Sequence, residues 1–141
     1  MNNNVCPKVG VGVVVVKDGA VLLGKRIGSF GNGYYAGPGG HLEMGESFEE
    51  CAAREVKEET DLEIKNIQFL CVTNLTNFFG RHYVDIGLIA DWSSGQAITQ
   101  EPDIFESWSW HSKEILPEPL FGAERNYYNS LRTGQKYFQD F

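Results

Sequence analysis

The stretch GHLEMGESFEECAAREVKEETDL runs from Gly40 to Leu62 and says more about the fold than any other part of this chain. It opens with a glycine turn, continues past Glu46 and ends in a dense group of charges between Arg54 and Glu59. Carboxylates that crowd together on one helix repel each other unless a cation compensates. The usual cation is divalent, and the usual substrate beside it is a phosphate ester. The stretch therefore indicates a metal-dependent site for a phosphate.

The centre of this stretch is predicted to form a helix over Ser47–Thr60. Ser47 suits the N-cap, and Glu50 follows three residues later, which is the spacing of a capping box. The apolar stripe of the helix is predicted at Phe48, Ala52 and Val56. The acids beside this stripe are therefore expected at the edge of the core.

Three glutamates share one face of the predicted helix. At 3.6 residues per turn, Glu55, Glu58 and Glu59 span an arc of roughly 100°. Mg²⁺ or Mn²⁺ suits such hard oxygen ligands, whereas zinc is disfavoured because no Cys or His belongs to the cluster. The alternative is that the glutamate-rich face is only solvated, and three glutamates alone would favour that alternative.

Composition limits the classes of function. A chain of 141 residues has the ordinary size of one domain, so we expect a single domain over residues 1–141. The formal net charge of −7 argues against a binder of nucleic acid polymers or of anionic membranes. Small anionic substrates stay compatible with this charge, because a metal and a few local cations can recruit them.

Cysteine usage and the N-terminal sequence predict a cytoplasmic protein. The chain has three cysteines, Cys6, Cys51 and Cys71, and no CxxC pair. An odd number without such a pair indicates neither a disulfide framework nor a zinc site. The start MNNNVCPK is polar, and the apolar run Val9–Val16 lacks the length and flanks of a signal peptide or membrane span.

Valine-rich and alternating stretches predict several strands. The turn signal Asp18-Gly19 predicts a hairpin between the first two, and a polar loop is expected between the third and fourth. The predicted strands are Val9–Val16, Ala20–Arg26, Leu62–Thr73, His82–Trp92 and Glu106–His111, with a short one at Tyr34-Tyr35. A rigid loop, Leu116–Phe121, precedes a second helix over Gly122–Leu131. Strands with interspersed helices predict an α/β (α+β) fold with a mixed sheet between helices.

The spacing of charges in the opening stretch resembles the signature of the Nudix hydrolases, G-x5-E-x7-R-E-U-x-E-E-x-G-U, where U is a bulky apolar residue. Asp61 departs from it, because the family has glycine there, which suits the left-handed residue that ends a helix. Asp in that conformation costs about 1 kcal/mol. It replaces no ligand, so we expect activity to be retained. The positions that fit are Gly40, Glu46, Arg54, Glu55, Val56, Glu58, Glu59 and Leu62.

The resemblance to MutT-like nucleotide diphosphatases of this family extends from about Val9 to Phe121. It implies the Nudix fold, an α/β/α sandwich around a mixed sheet. One departure concerns the pocket, since relatives read Leu-Pro-Gly-Gly where this chain reads Gly37-Pro38-Gly39-Gly40. Loss of the leucine side chain at Gly37 is expected to enlarge the pocket. The matching segments are LLGKR (22–26), PGGHLE (38–43), VTN (72–74), HYV (82–84), EP (101–102), ESWSW (106–110) and LPEPLF (116–121).

The resemblance also implies a metal site for Mg²⁺ or Mn²⁺. Glu55 and Glu59 would be the principal ligands and the candidates for the catalytic base, and Glu58 a further ligand, directly or through water. The main-chain carbonyl of Gly40 would coordinate too, since glycine lets the backbone approach the metal. Glu101 stands where some relatives supply an extra carboxylate, and an exposed loop acid is an equally good interpretation.

Further residues are implied to orient the acids or to bind substrate. Arg54 would pair with Glu46 or a neighbour and hold the acids in place. Arg26 would bind phosphate, and Phe121 would stack on a flat group. The expected substrate-binding residues are Arg26, Gly37, His41, Asn74 and Phe121. The alternatives are a solvated strand end for Arg26, a turn histidine for His41 and a strand-end hydrogen bond for Asn74.

The activity implied is hydrolysis of a phosphoric anhydride in a nucleotide or other diphosphate-containing small molecule. The leading hypothesis is Mg²⁺-dependent hydrolysis of a nucleoside triphosphate, such as an oxidised or modified dNTP, to a nucleoside monophosphate and diphosphate. An alternative substrate is ADP-ribose, another nucleoside diphosphate sugar or a prenyl diphosphate. A further alternative, a non-catalytic Nudix binding module, is disfavoured by the intact glutamates. Relatives suggest a homodimer, which exposed aromatics near Tyr127, Tyr128 and Tyr137–Phe141 would permit.

Overall fold

A mixed sheet with a helix on each face forms the described part of the chain, residues 5–140 of this computed structural model. Residues 1–4 and Phe141, which entered the sequence analysis, lie outside the described residues. The described elements are β1 (Lys8–Lys17), β2 (Ala20–Arg26), β3 (Tyr35–Ala36), β4 (Gly39–His41), α1 (Phe48–Thr60), β5 (Glu63–Phe78), β6 (Arg81–Ser94), β7 (Phe105–Ser112), α2 (Glu124–Thr133) and β8 (Tyr137–Gln139). Neither described helix is long and apolar enough to cross a membrane.

The valine-rich strand β1 lies at the centre of the sheet. It pairs in parallel with β6 and antiparallel with β2 and β4. Val11, Val13 and Val15 pack in one core with α1, while Val14 packs in a second core with α2. Such a continuous apolar run is typical of a strand that is buried on both faces. The predicted sandwich of a mixed sheet between helices is therefore confirmed.

The predicted polar loop between the strands that follow α1 was wrong. Strand β5 continues to Phe78, β6 begins at Arg81, and a tight turn at Phe79-Gly80 joins them. Asn74, which was assigned to the loop, pairs with Val84 in the ladder. Polar residues fit a strand wherever one face is solvated, so the polar composition was a poor guide to its end. The longer hairpin brings Phe78 and Arg81 to the candidate site.

Two short strands, β4 and β8, were not predicted. Strand β4 lies in the segment PGGH and pairs with β1, Gly39 opposite Gly12 and Gly40 opposite Val11. A Cβ on Gly39 would collide with the main chain of Val11. The sequence does not predict this strand because glycine is rare in strands. The same glycines let β4 pair closely with β1.

Helix α1 has the predicted capping box. The Glu50 N–H donates to Ser47 Oγ at 3.0 Å, and the Ser47 N–H donates to Glu50 Oε1 at 2.9 Å. Ala52 and Val56 are buried as expected, but Phe48 is 38% exposed and Cys51 is buried in its place. The helix is thus anchored by its middle and last turns, which also carry the acids.

The left-handed residue after α1 gives a stability prediction. Asp61 has φ 64°, which costs an L-residue about 1 kcal/mol relative to glycine. Its exposed ion pair with Lys57, at 3.1 Å, stabilises the folded protein by at most roughly 0.5 kcal/mol. Asp61→Gly should therefore raise the melting temperature by a few degrees. Lys57→Ala removes the same ion pair but leaves the backbone strain at Asp61, so it should not raise the melting temperature. A lower melting temperature for Asp61→Gly would contradict the proposed strain at this residue.

Candidate active site

A cavity of about 610 Å³ is lined by residues of β1, β4, β6, α1 and the segment that enters α2. This volume suits a nucleotide-sized ligand. The lining brings most of the predicted site residues together and leaves out Glu46 and Asn74. The predicted residues that line it are Arg26, Gly37, Gly40, His41, Arg54, Glu55, Glu58, Glu59, Glu101 and Phe121.

Glu59 is the most deeply buried acid of α1. It is 4% exposed, and its Oε1 accepts a hydrogen bond from the Gly39 N–H at 2.7 Å. Burial raises the pKa of Glu59 to about 9, and the charges of Glu55 and Glu101 act in the same direction. In the absence of a cation this carboxyl therefore holds a proton at neutral pH.

Arg54 holds the other acids in place, as the sequence analysis predicted. Its guanidinium makes a two-pronged pair with Glu46, at 2.6 Å from Nε and 3.0 Å from Nη2. The same group lies 2.8 Å from Glu55 Oε1 and 3.4 Å from Glu58 Oε2. The hydrogen bond from Arg54 lowers the pKa of Glu46 to about 2. Burial instead raises the pKa of Glu55, although the Arg54 contact opposes this.

The donor set fits a hard divalent cation, but the side chains are not yet arranged around one. Among the described residues, no three His, Cys, Asp or Glu side chains form a group that could hold a metal ion. The Glu59 carboxyl is a buried oxygen donor and the Glu55 carboxyl a half-buried one, and both have raised pKa values. A Cβ on Gly40 would collide with Glu55. A cation would supply the charge that these acids lack. Its binding requires Glu59 to lose its proton.

Arg26 lies in an aromatic group on the cavity wall. Its guanidinium is 4.3 Å from the centroid of Phe121 and 5.9 Å from that of Phe30. Burial lowers the pKa of Arg26, while the charge of Glu59 opposes this effect. Phe121 also packs edge-on against Phe78 at 5.1 Å. A cation and a flat ring thus share one wall of the cavity, as binding of a phosphate and a planar group requires.

His41 and Asn74 differ in their relation to the cavity. His41 lines it and lies 3.1 Å from the Tyr83 hydroxyl. Burial and the charges of nearby cations lower its pKa, so the ring is neutral at pH 7. Asn74 contacts His82 at 2.6 Å and Gln139 at 3.4 Å. These contacts join Asn74 to the neighbouring strands β6 and β8. Asn74 therefore lies within β5 and outside the cavity lining, so the strand-end alternative was also wrong.

The expectation that Gly37 enlarges the pocket was wrong. A Cβ at this position would lie 2.7 Å from the Val13 carbonyl oxygen and 3.2 Å from Glu124 Oε1. The space that a side chain would need is therefore already filled. The Gly37 N–H donates to Glu124 Oε1 at 2.8 Å. The absence of a side chain at Gly37 therefore makes room for the buried Glu124 carboxyl and does not widen the cavity.

Six polar residues of the cavity lining were not predicted from the sequence, and three of them, Asp85, Glu124 and Tyr127, lie together on one wall. The other three are Glu43, Arg81 and Tyr83. The Tyr127 hydroxyl donates to Asp85 Oδ2. The sequence does contain two signals: an acid, Asp85, inside the apolar strand β6, and glycines at Gly12 in β1 and Gly87 in β6. Neither signal predicts which residue contacts Asp85 or fills the space at the glycines, because Tyr127 lies far away in the sequence.

Comparisons with known proteins agree with this geometry. The chain matches the NUDIX domain family over residues 7–131. It is 34% identical over 105 residues to the NAD-capped RNA hydrolase NudC of Pseudomonas aeruginosa (strain LESB58), which covers 74% of this chain and 36% of that protein. The corresponding protein of Actinobacillus succinogenes is 32% identical over 119 residues, or 81% of this chain and 43% of that protein. The chain thus spans less than half the length of these curated relatives.

Solved structures show the same fold. A MutT NUDIX hydrolase from Burkholderia pseudomallei superposes with a TM-score of 0.82 at 33% identity, over 88% of this chain and 97% of that one. The NUDIX domain of Shewanella oneidensis NrtR, solved with ADP ribose, has a TM-score of 0.75 at 22% identity, over 90% and 87%, and shows the fold alone. With the family match over residues 7–131 and the acids of α1 gathered in one cavity, the chain belongs to the NUDIX family.

Proposed function

We propose that this chain hydrolyses a phosphoric anhydride bond in a nucleoside di- or triphosphate derivative, with Mg²⁺ or Mn²⁺ as cofactor. One observation carries the proposal. The buried carboxyl of Glu59 and the half-buried carboxyl of Glu55 line the same cavity as the guanidinium of Arg26 and the ring of Phe121. These are the groups needed for a metal, a phosphate and a flat base.

Glu55, Glu58, Glu59, Glu101 and the Gly40 carbonyl would hold the metal. When bound, a divalent cation neutralises phosphate charge and activates water for attack. Glu55 and Glu59 are the two candidates for accepting the proton of the attacking water. Arg54 holds Glu55 and Glu58 from one side and is fixed by Glu46, so it orients the acids without touching the substrate.

The substrate hypothesis with most support is a nucleoside triphosphate, cleaved by water to a monophosphate and diphosphate. Arg26 would neutralise a phosphate oxygen, and Phe121 would stack on the base. The relatives that act on NAD-capped RNA favour a second candidate, a nucleoside diphosphate derivative such as NAD or ADP-ribose. The absence of activity on nucleic acid polymers, the cytoplasmic location and the homodimer stay predictions. Tyr127 and Tyr128, which were expected to be exposed and available to a homodimer, are instead buried.

The role of Glu59 can be tested by a neutral substitution. Glu59→Gln keeps the shape and an oxygen that accepts the Gly39 N–H, but cannot ionise. It should lower Mg²⁺-dependent hydrolysis by roughly a hundredfold or more, and the rise in melting temperature that Mg²⁺ gives the wild type should disappear. Glu49→Gln, on an exposed position of the same helix, is the matched control. Wild-type turnover in Glu59→Gln would refute the assignment.

The substrate class can be tested by a panel that contains dNTPs, oxidised dNTPs, ADP-ribose, NAD, an NAD-capped RNA and a prenyl diphosphate. Release of diphosphate from a dNTP and of nucleoside monophosphate from a dinucleotide would be measured. We expect the highest kcat/KM for a dNTP. A higher kcat/KM for ADP-ribose, NAD or the capped RNA would favour the second candidate.

A further inference from the structure

We infer that Arg81, at the exposed edge of the cavity, binds a second phosphate group of the substrate and thereby selects substrates that carry a terminal phosphate in addition to the cleaved anhydride. The inference rests on the proposed function, because it concerns the ligand of the same cavity. It assigns a role to a cation of the cavity lining that was not predicted from the sequence. The proposed roles of Arg26 and of the acids of α1 leave this cation unused.

The arginines of this chain differ in whether they have a side-chain acceptor, and the two that lack one both line the cavity. Within residues 5–140, Arg26 donates only to the main-chain carbonyl of Phe30, and Arg81 has no hydrogen bond or ion pair. A chain with a net charge of −7 thus leaves two cations without acids at one place, which suits an anionic ligand. The arginines with a side-chain acceptor are Arg54, Arg125 and Arg132.

Both of these cavity arginines lie over the ring of Phe30. The guanidinium carbon is 5.4 Å from the ring centroid for Arg81 and 5.9 Å for Arg26. Phe30 is itself packed edge-on against Phe121 at 5.4 Å and Phe79 at 5.1 Å. A guanidinium that rests on an aromatic face keeps its N–H edge available, and this planar edge matches the oxygens of a phosphate. One ring thus holds two phosphate-binding groups in the same cavity.

The hairpin that carries Arg81 has a tight turn at its tip. Phe78 pairs with Arg81 in the ladder, and only Phe79 and Gly80 lie between them. Both turn residues have positive φ, 53° and 80°, as in a type I′ turn. The Gly80 N–H also donates to Asn77 Oδ1 at 3.0 Å. Positive φ is a strained conformation for phenylalanine, and such strain clusters where a function needs a fixed backbone. Arg81 therefore begins β6 at a defined place on the cavity edge.

The position of Arg81 favours a phosphate at the outer end of the ligand. Arg81 is exposed, whereas Arg26 is half-buried. A terminal phosphate carries about two negative charges at pH 7 and three acceptor oxygens, more than a phosphate that is bonded on both sides. Two sources supply it: the last phosphate of a nucleoside triphosphate, and a phosphate on the ribose of a dinucleotide. The two sources share one chemistry, and matched substrates can separate them.

The ratio of kcat/KM values within two pairs of substrates gives a direct test. With Mg²⁺ present, dGTP would be compared with dGDP, and NADP with NAD, since the members of each pair differ by one phosphate. In at least one pair the wild type should prefer the substrate with the additional phosphate by about tenfold or more. Added salt should reduce this ratio, because the contact is exposed. The pair that discriminates identifies the source.

Three variants link the preference to Arg81. Arg81→Gln should bring the ratio to near unity, mainly by raising KM for the substrate with the additional phosphate. Arg81→Lys keeps the charge but loses the planar fork, so its ratio should be intermediate. Lys8→Gln is the matched control, because Lys8 is exposed opposite Tyr83 in the ladder but outside the cavity lining. It should keep the wild-type ratio. Thermal melting of each variant would confirm that it folds.

Three results would overturn the inference: a ratio near unity in the wild type for both pairs, a wild-type ratio in Arg81→Gln, or an equal fall of the ratio in Lys8→Gln. A loss of kcat that is the same for all four substrates in Arg81→Gln would also overturn it, because it indicates a structural role. The proposed function fails separately, if none of the anhydride substrates is hydrolysed. Dissociation constants of the same four ligands, measured by isothermal titration calorimetry, would then test Arg81 with the same expected ratios.

Discussion

The burial of Glu59 against the sheet is the constraint on which this site depends. A carboxyl group that is 4% exposed, beside other acids, loses most of its hydration. Arg54 makes ion pairs with Glu46, Glu55 and Glu58. Among residues 5–140, Glu59 has no ion pair; it accepts the Gly39 N–H, and the charge of Arg26 offsets its burial only in part. The fold therefore keeps an acid in an unfavourable place, which is typical of groups that serve a function.

Glycine is the means by which the fold brings acids against the main chain. Gly39 donates to Glu59, Gly37 donates to Glu124, and a side chain at Gly40 would collide with Glu55. Gly12 and Gly87 admit Tyr127 in the same way. A Cβ on Gly37 or Gly40 would come too close to the carboxyl of Glu124 or Glu55, and a Cβ on Gly39 would collide with the main chain of Val11. Glycine thus lets acids of α1 and the acid that begins α2 lie against the main chain.

Local patterns could predict part of this structure. The capping box at Ser47 and Glu50 and the buried strand β1 follow from neighbours in the sequence, and the left-handed Asp61 follows from the glycine that the family has there. The structure has all three. The end of β5 did not follow, because Asn74 and Thr76 are polar whether they lie in a loop or on the solvated face of a strand. Gly37 shows most clearly what the sequence could not predict. Whether this glycine opens the cavity depends on Glu124, which lies 87 residues away in the sequence, and no local pattern predicts that the two are in contact.

The proton on Glu59 offers the most direct test of the central claim, which is that this buried acid waits for a divalent cation. Calorimetric titration of Mg²⁺ at pH 7, in two buffers with different heats of ionisation, measures the protons released on binding. With its pKa at about 9 in the metal-free protein, Glu59 must lose its proton to bind the metal. The wild type should therefore release about one proton per metal ion, and affinity should rise with pH toward 9. Tight Mg²⁺ binding without proton release, or with affinity independent of pH, would contradict the claim.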